Sequence, residues 1–405
     1  KFIGGFLMTI EMNMLQSIGL AVILLLIGKK LREKITFFSK YCIPSPVIGG
    51  LLFAIITLIL RMTGIAFFEF DTTLQTFFMV MFFTSIGFNA SFKVLKKGGL
   101  KVILFLVIAT VLTVLQNGLA VSLASVVKVH PLLALMTGST PMTGGHGTSA
   151  AIAPTVEALG ISGATTVAIA AATFGLVSGS MMGGPVANRL INKYDLLNKK
   201  LASKDIDVDE SLIEESKSIL DGDKIAMAIF QLLIAMGIGV YVSNWINGFG
   251  LTFPEYIGSM IVAAIMRNIS DTGKFFHSPD EEIGVIGDAA LNLFLAMALM
   301  TLKLWELADL ALPMIILLIG QTILMYLFAT YVTFPIMGKN YDAAVIAAGH
   351  CGFGMGATPN GIANMQSVSE KFVYSKLAFF VVPIVGALFI DFTNIAVITF
   401  FVNLF

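Results

Sequence analysis

The sequence predicts an all-α polytopic membrane protein: two inverted-topology repeats, each of five transmembrane helices plus one re-entrant glycine-rich loop. Three observations predict it. Apolar runs long enough to span a bilayer recur from end to end. Features of the first half return in the second at a nearly fixed offset. The cationic residues divide unevenly between the two faces only if two of the runs turn back.

The 405 residues are 57% hydrophobic and 12% charged, against roughly 25% charged in soluble proteins. Runs of about 20 apolar residues match a hydrocarbon core of about 30 Å, as in Leu104–Val126 and Val381–Phe401. Twelve hydrophobic segments follow at 13–28, 46–66, 74–92, 102–127, 131–158, 164–189, 224–243, 254–268, 284–305, 310–337, 343–366 and 374–401. The net charge of zero implies no nucleic-acid partner. Cys42 and Cys351 allow at most one disulfide and build no framework. No basic n-region with a small-residue cleavage site opens the sequence, so no signal peptide is expected. Segment 1–12 is short, apolar and irregular, and is expected to lie on the surface as an amphipathic piece.

One long polar stretch, Asn192–Asp223, separates six segments from six. The domain reading is therefore an N-terminal repeat at 1–191, a polar cytoplasmic linker at 192–223 and a C-terminal repeat at 224–405. A shift of 211 residues lays Gly138 on Gly349, Gly145 on Gly356, Ser149 on Asn360 and Gly175 on Gly386. A shift of 208 lays Pro46 on Pro254 and Gly50 on Gly258, and one of 205 lays Gln116 on Gln321. Matched order at a nearly constant offset points to an internal duplication.

Orientation follows from the positive-inside rule. If all twelve segments cross, Lys and Arg show no bias. If segments 131–158 and 343–366 dip in and return, each half crosses five times and the halves are inverted. Then Lys1, Arg61, Lys128 and Lys303 lie outside, and the other 21 of the 25 lysines and arginines lie inside. That split selects ten crossings, two re-entrant segments from opposite faces, and both termini outside.

The two returning segments read MTGSTPMTGGHGTSAAIAP (Met136–Pro154) and AAGHCGFGMGATPNGIANMQ (Ala347–Gln366). Their glycines, prolines and hydroxyls break a helix. Irregular backbone at membrane depth is tolerated where protein or a wet cavity covers it. A pair of such breaks at corresponding places in inverted halves points to a transport site at the midplane. Close packing of glycine-rich helices is the plainer alternative.

A half-helix N-terminus attracts anions. Thr358 is expected as the N-cap with Pro359 at the first helical position, and the counterpart start near Gly147, Thr148 and Ser149. The expected substrate set is Gly145, His146, Gly147, Thr148, Ser149, Gly356, Ala357, Thr358 and Asn360 for an anionic group, with Asp391 and Asn394 on the last segment for an ammonium group or Na⁺. Freed carbonyls and hydroxyls suit a hard cation such as Na⁺. The expected cation set is Ser139, Thr140, Thr143, His350, Gly352, Asn364 and Asp391. Asp391 lies in an apolar run with no Lys or Arg, so a bound cation or a protonated structural role would account for it. Gln116, Asn117 and Gln321 are expected to pin helices together, and Lys303 and Glu306 to mark a membrane boundary. No metal-ligand spacing surrounds His146 or His350, so neither a transition metal nor a cofactor is expected. No paired aspartates or nucleophile–base spacing supports an intramembrane enzyme.

The stretches GKNYDAAVIAAGHCGFGMGATPNGIANMQ (Gly338–Gln366), LNLFLAMALMTLKLWELADLALPM (Leu291–Met314), GGHGTSAA (Gly144–Ala151) and ATFGLVSGSMMGGPVA (Ala172–Ala187) resemble the bacterial sodium/glutamate symporter family. The resemblance runs from about Leu15 to the C-terminus and is poor in the linker. It implies two inverted five-helix halves with re-entrant loops, a homodimer in the bacterial inner membrane, L-glutamate as substrate and Na⁺ as coupling ion. It also implies alternating access by a core domain moving past a scaffold. A Na⁺-coupled carrier of another carboxylate, of the citrate or malate type, is the alternative. The absence of a mid-membrane Arg weighs against a multiply charged anion.

Overall fold

The computed structural model describes residues 8–41, 43–202, 221–248, 254, 256–273, 276–305 and 310–405. A strand, β1 (Met8–Met12), leads into α1 (Met14–Lys34). The helix is opened by a capping box in which Asn13 and Gln16 exchange side-chain and backbone bonds. A short α2 (Thr36–Lys40) follows, then α3 (Ser45–Met62), with Pro46 in its first turn. Strand β2 (Ala66–Phe70) pairs in parallel with β1, Met8 opposite Ala66 and Met12 opposite Phe70. Residues 8–12 are thus tied down as a strand, where the sequence reading placed an amphipathic surface piece; residues 1–7 lie outside the described residues. Asp71 then caps α4 (Thr73–Asn89): the hydroxyl and backbone N–H of Thr73 hold its carboxyl below the usual range.

The first half continues with α5 (Phe92–Lys97) and α6 (Gly99–Val127). A broken segment comes next: α7 (Pro131–Leu135), α8 (Ser139–Met142) and α9 (Gly145–Ala158). Then come α10 (Ala164–Tyr194) and α11 (Leu196–Ala202). The second half opens with α12 (Gly222–Asn247), α13 (Tyr256–Ser270) and α14 (Asp280–Met300). A single apolar rod follows, α15 (Ala311–Phe328), a π-turn at Ala329–Thr333 and α16 (Phe334–Ile336). The second broken segment is α17 (Tyr341–Phe353) and α18 (Thr358–Lys371). The last rod is α19 (Lys376–Ile384), a second π-turn at Val385–Phe389 and α20 (Ile390–Val402). Eight of these helices or rods are long and apolar enough to cross a membrane, and α13 is a shorter apolar helix. The chain is a predominantly helical, multi-pass membrane protein. The acidic stretch Asp205–Glu215 of the expected linker, Cys42 and Glu306 fall outside the described residues.

The compact units are not the two sequence halves. One unit gathers Lys1–Phe88, Ala150–Val167 and Asp221–Ala311, and the other Asn89–Ser149, Ala168–Leu220 and Leu312–Phe405. Within the first unit, α1 and α3 come so close that a Cβ on Gly28 or Gly49 would strike the backbone opposite. A second pair, α12 and α13, meets in the same way at Gly239 and Gly258. Small residues let apolar helices approach where no hydrophobic effect drives them together. Gly50 of α3 packs on Leu299 of α14, and Gly87 of α4 packs on Met260 of α13, so helices from the two halves interleave. Ala21, Leu24, Phe53, Ala296, Met297 and Met300 fill the core between them.

The second unit takes α6, α10, the rod 311–336, the rod 376–402 and most of both broken segments. Ala120 and Ala124 of α6, Ala134 of α7 and Leu317 of α15 make a small-residue core there.

Candidate functional site

Each broken segment is breached where its glycines fall. In the first, Gly145 has φ +61°, a left-handed conformation that glycine adopts without steric cost. It lets the chain turn from α8 directly into α9. The helix therefore starts at Gly145, two residues before the expected Gly147. In the second, α17 and α18 fold back on each other across Gly354–Ala357. A Cβ on Gly352 would sit 2.5 Å from the Gly361 nitrogen, and one on Gly361 2.7 Å from the Gly349 carbonyl oxygen. Ala357, not Thr358, is the N-cap, and Pro359 takes the second position of α18. The reason is local: Ala357 is extended (φ −161°, ψ 160°), and its carbonyl already accepts from Asn360 and Gly361. No side chain caps this helix end.

The two helix starts come together. A Cβ on Gly145 would lie 2.9 Å from the carbonyl oxygen of Gly356, two residues before α18. Buried amides fix this junction to its neighbours. Asn117 Oδ1 accepts from the Ser139 N–H at 2.8 Å. Gln116 donates from Nε2 to the Gly354 carbonyl at 2.7 Å and accepts from the Thr143 hydroxyl at 2.8 Å. Gln321 Nε2 donates to the Gln116 carbonyl at 2.8 Å. The helix-pinning role expected of Gln116 and Asn117 is thus directed at the breaks, while Gln321 ties α15 to the backbone of α6. On α20, Asn394 Nδ2 donates to the Ser139 carbonyl at 3.2 Å, and the neighbouring Thr393 accepts from Thr110 at 3.0 Å.

Other expected residues hold the second hairpin against α10. Asn360 Nδ2 donates to the Leu176 carbonyl at 3.0 Å and to Ser180 at 2.6 Å. Asn364 Nδ2 donates to the Gly179 and Ala348 carbonyls at 2.9 and 3.2 Å. His146 Nε2 meets Thr173 at 3.0 Å. Three glycines at a spacing of four, Gly175, Gly179 and Gly183, line α10 where it meets Met355, Cys351 and Asn364. Sequence reasoning missed Thr173, Ser180 and this stripe. The small-residue spacing in ATFGLVSGSMMGG was the signal that would have found it.

His350 and Gly352, expected on the cation, pack in and around the second hairpin, and His350 Nε2 is buried without a hydrogen-bond partner among the described residues. His350 Nδ1 bonds Thr333 at 2.9 Å, while its ring stacks on Phe353 and meets Phe105 and Phe328 edge-on. Gly352 lies in the hairpin seam, and its carbonyl accepts from Ala357 at 3.3 Å. Both π-turns serve the same hairpin: one presents Thr333 to His350, the other sets Gly386 against Thr358. Such turns recur at functional sites.

What remains at the junction is a set of buried polar atoms without hydrogen-bond partners among the described residues: Ser139 Oγ, Thr140 Oγ1, Ser149 Oγ, Asn117 Nδ2 and Asn394 Oδ1. A buried orphan of this kind costs about 1–3 kcal/mol, and several together call for a polar occupant. Asp391, one turn before Asn394 on α20, is half-buried and has no ion-pair or hydrogen-bond partner among the described residues. Hydroxyl, amide and carboxylate oxygens form a hard-cation donor set. The starts of α9 and α18 bring together two positive helix-dipole ends, which attract anions. Small neutral Thr148 and the backbone of Gly147 and Ala357 complete the two first turns.

Comparison with known proteins gives one family. A family model described as sodium/glutamate symporter matches residues 10–374. The sequence is 42% identical over 395 residues to sodium/glutamate symporters of Escherichia coli (strain K12) and Shigella flexneri, covering 97% of this chain and 98% of each relative. It is 40% identical over 385 residues to a sodium/glutamate symporter of Haemophilus influenzae (strain ATCC 51907 / DSM 11121 / KW20 / Rd), covering 95% of both chains. All three names describe transporters rather than enzymes.

Proposed function

The chain belongs to the sodium/glutamate symporter family, and from that premise we propose that it carries L-glutamate into the cell together with Na⁺ by alternating access. The carrying observation is the meeting of the two helix starts beside a cluster of unpartnered buried oxygens. The glutamate carboxylates go to the first turns of α9 (Gly145–Ser149) and α18 (from Gly356 to Asn360). Na⁺ goes to the hydroxyls of Ser139, Thr140 and Thr143 with Asn394 and Asp391. His146, Asn364, His350 and Gly352 hold the breaks in shape through the contacts described above.

The two halves are read as inverted repeats, with 131–158 and 343–366 as re-entrant loops entering from opposite faces. Two kinds of contact support this. Gln321 bonds its own counterpart, Gln116, and Gly145 touches its own counterpart, Gly356. Residues related by a two-fold operation meet their equivalents only near its axis. Each compact unit also draws matching helices from both halves. The unit bearing both breaks is the one that carries cargo, by an elevator-like displacement. The Lys and Arg distribution favours both termini outside, in a bacterial inner membrane. The family resemblance adds a homodimer.

The test is uptake of labelled glutamate into proteoliposomes under a sodium gradient. Uptake that collapses when potassium replaces sodium is expected; equal uptake in both salts would overturn the proposal.

A further inference from the structure

We propose that the first compact unit holds a second amino-acid subsite, in which Lys303 takes a carboxylate and Glu157 takes the ammonium group of the same zwitterion. The proposal rests on the reading of the chain as a glutamate carrier, and names a second place, on that unit, where substrate is held.

A cavity of about 300 Å³ lies within this unit, lined by residues of α4, α9, the start of α10 and the end of α14. That volume is at the lower end of the roughly 300–1,000 Å³ typical of small-molecule sites. Lys303 and Glu157 both line it, yet no ion pair joins them. Glu157 uses one oxygen to accept the Thr165 N–H at 2.9 Å, which fixes the carboxylate and leaves its other oxygen. Lys303 has no hydrogen-bond or ion-pair partner among the described residues. Gln75 Oε1, also in the lining, is buried without a hydrogen-bond partner among the described residues. Thr72 and Thr76 add hydroxyls.

This combination selects its occupant by charge. A lipid tail would leave a lysine, a glutamate and an amide oxygen against hydrocarbon, which is costly. A simple anion satisfies Lys303 and is repelled by Glu157, and a simple cation meets the reverse. An α-amino acid presents both signs a few ångströms apart, with its remaining oxygens free for the threonine hydroxyls and its ammonium group free for Gln75. Lys303 is also one of the four cationic residues expected on the outer face, the side from which an imported substrate arrives. A weak site of this kind raises the local concentration of an anionic substrate before transport.

The protein supplies its own reporter. Of its two tryptophans, Trp305 lines a neighbouring cavity of about 190 Å³ that shares Thr72, Thr301, Leu302 and Lys303 with this one. The other, exposed Trp245, is removed by Trp245→Phe in the full-length protein. L-glutamate is then titrated in Na⁺-free potassium buffer, with emission and binding of labelled L-glutamate read in parallel. A saturable response is expected with L-glutamate and not with glutarate, which lacks the ammonium group. Lys303→Gln and Glu157→Gln should each raise the half-saturating concentration about tenfold, the loss of one charge-assisted contact. Asn394→Ala should leave this titration unchanged. No saturable binding, an unchanged curve in K303Q and E157Q, or an equal response to glutarate would overturn the subsite. Sodium-driven uptake alongside any of those three results would leave the main reading standing. A normal titration without sodium-driven uptake would do the opposite.

Discussion

Asn394 does two things at once: its Nδ2 holds the Ser139 carbonyl, and its Oδ1 is left without a hydrogen-bond partner among the described residues. Asn394→Ala should therefore raise the Na⁺ concentration for half-maximal uptake about tenfold, the loss of one ion-directed oxygen. Glutamate affinity at saturating Na⁺ should move less. Sodium titrations of uptake check this, and a glutamate defect with unchanged sodium dependence would remove Asn394 from the cation set. Gly145 is a second single-residue lever. Gly145→Ala adds a methyl group aimed at the Gly356 carbonyl on a backbone with φ +61°. The left-handed conformation alone costs a non-glycine residue about 1–2 kcal/mol, so a lower melting temperature in detergent and a sharp loss of uptake are expected. At this scale the sequence disclosed residue types well, because Asp391, Asn394 and the loop hydroxyls stand out against apolar runs. It did not disclose which of their atoms are engaged internally: His350 Nδ1 is bonded, while its Nε2 is as buried as Ser139 Oγ and, like it, has no hydrogen-bond partner among the described residues. Asn364 and His350 look no different from Ser139 until their partners, 16 and 17 residues or more away, are in place.

Among the elements, α6 works as a bracket for both breaks, through Asn117 on the first and Gln116 on both. Gln116→Leu is nearly isosteric but leaves the Gly354 carbonyl and Thr143 hydroxyl unpaired, at about 1–3 kcal/mol for each buried group. The expected outcome is a fall in thermal stability, with a larger fall in transport than Gln116→Glu produces, since Glu keeps an acceptor for Thr143. Thermal melts beside uptake rates check it. Likewise Gly179→Leu should wedge α10 off the second hairpin, where a Cβ would already lie 2.9 Å from the Cys351 carbonyl. Correct membrane insertion with no uptake is the expected result. The presence of each break was legible because glycine, proline and hydroxyl residues oppose helix. Its exact edges were not. Proline is accepted at more than one position of a first helical turn, so Thr358-Pro359 fitted a cap one residue late. GGHG offers three glycines that can turn, and only the packing against Gly356 selects Gly145. The β1–β2 ribbon was invisible for a different reason: parallel pairing across more than fifty residues depends on helices between the strands, not on either strand's own pattern.

For the molecule as a whole, the membrane class followed from hydropathy and length, whereas eight helices or rods, not ten, are long and apolar enough to cross among the described residues. The partition into compact units did not follow from the sequence, because it crosses the halves that the offset defines. Each unit is assembled from pieces distant in sequence, and neither half contains a complete one. Transport driven by more than one Na⁺ per glutamate moves net charge, each worth about 2.3 kcal/mol per 100 mV. An inside-negative potential imposed by a potassium gradient and ionophore should then accelerate uptake, and indifference to that potential would require an electroneutral cycle. On the proposed reading of the halves as repeats, the contacts of Gln116 with Gln321 and of Gly145 with Gly356 have a consequence for descent as well. When a gene doubles and fuses, most positions gain freedom, since each copy faces different surroundings. Positions on the seam do not, because each is the other's environment and a change in one must be tolerated by its twin. Under that reading, the identical residues at these two pairs, against the differing Ser149 and Asn360 nearby, are where the two copies stay bound to a common history.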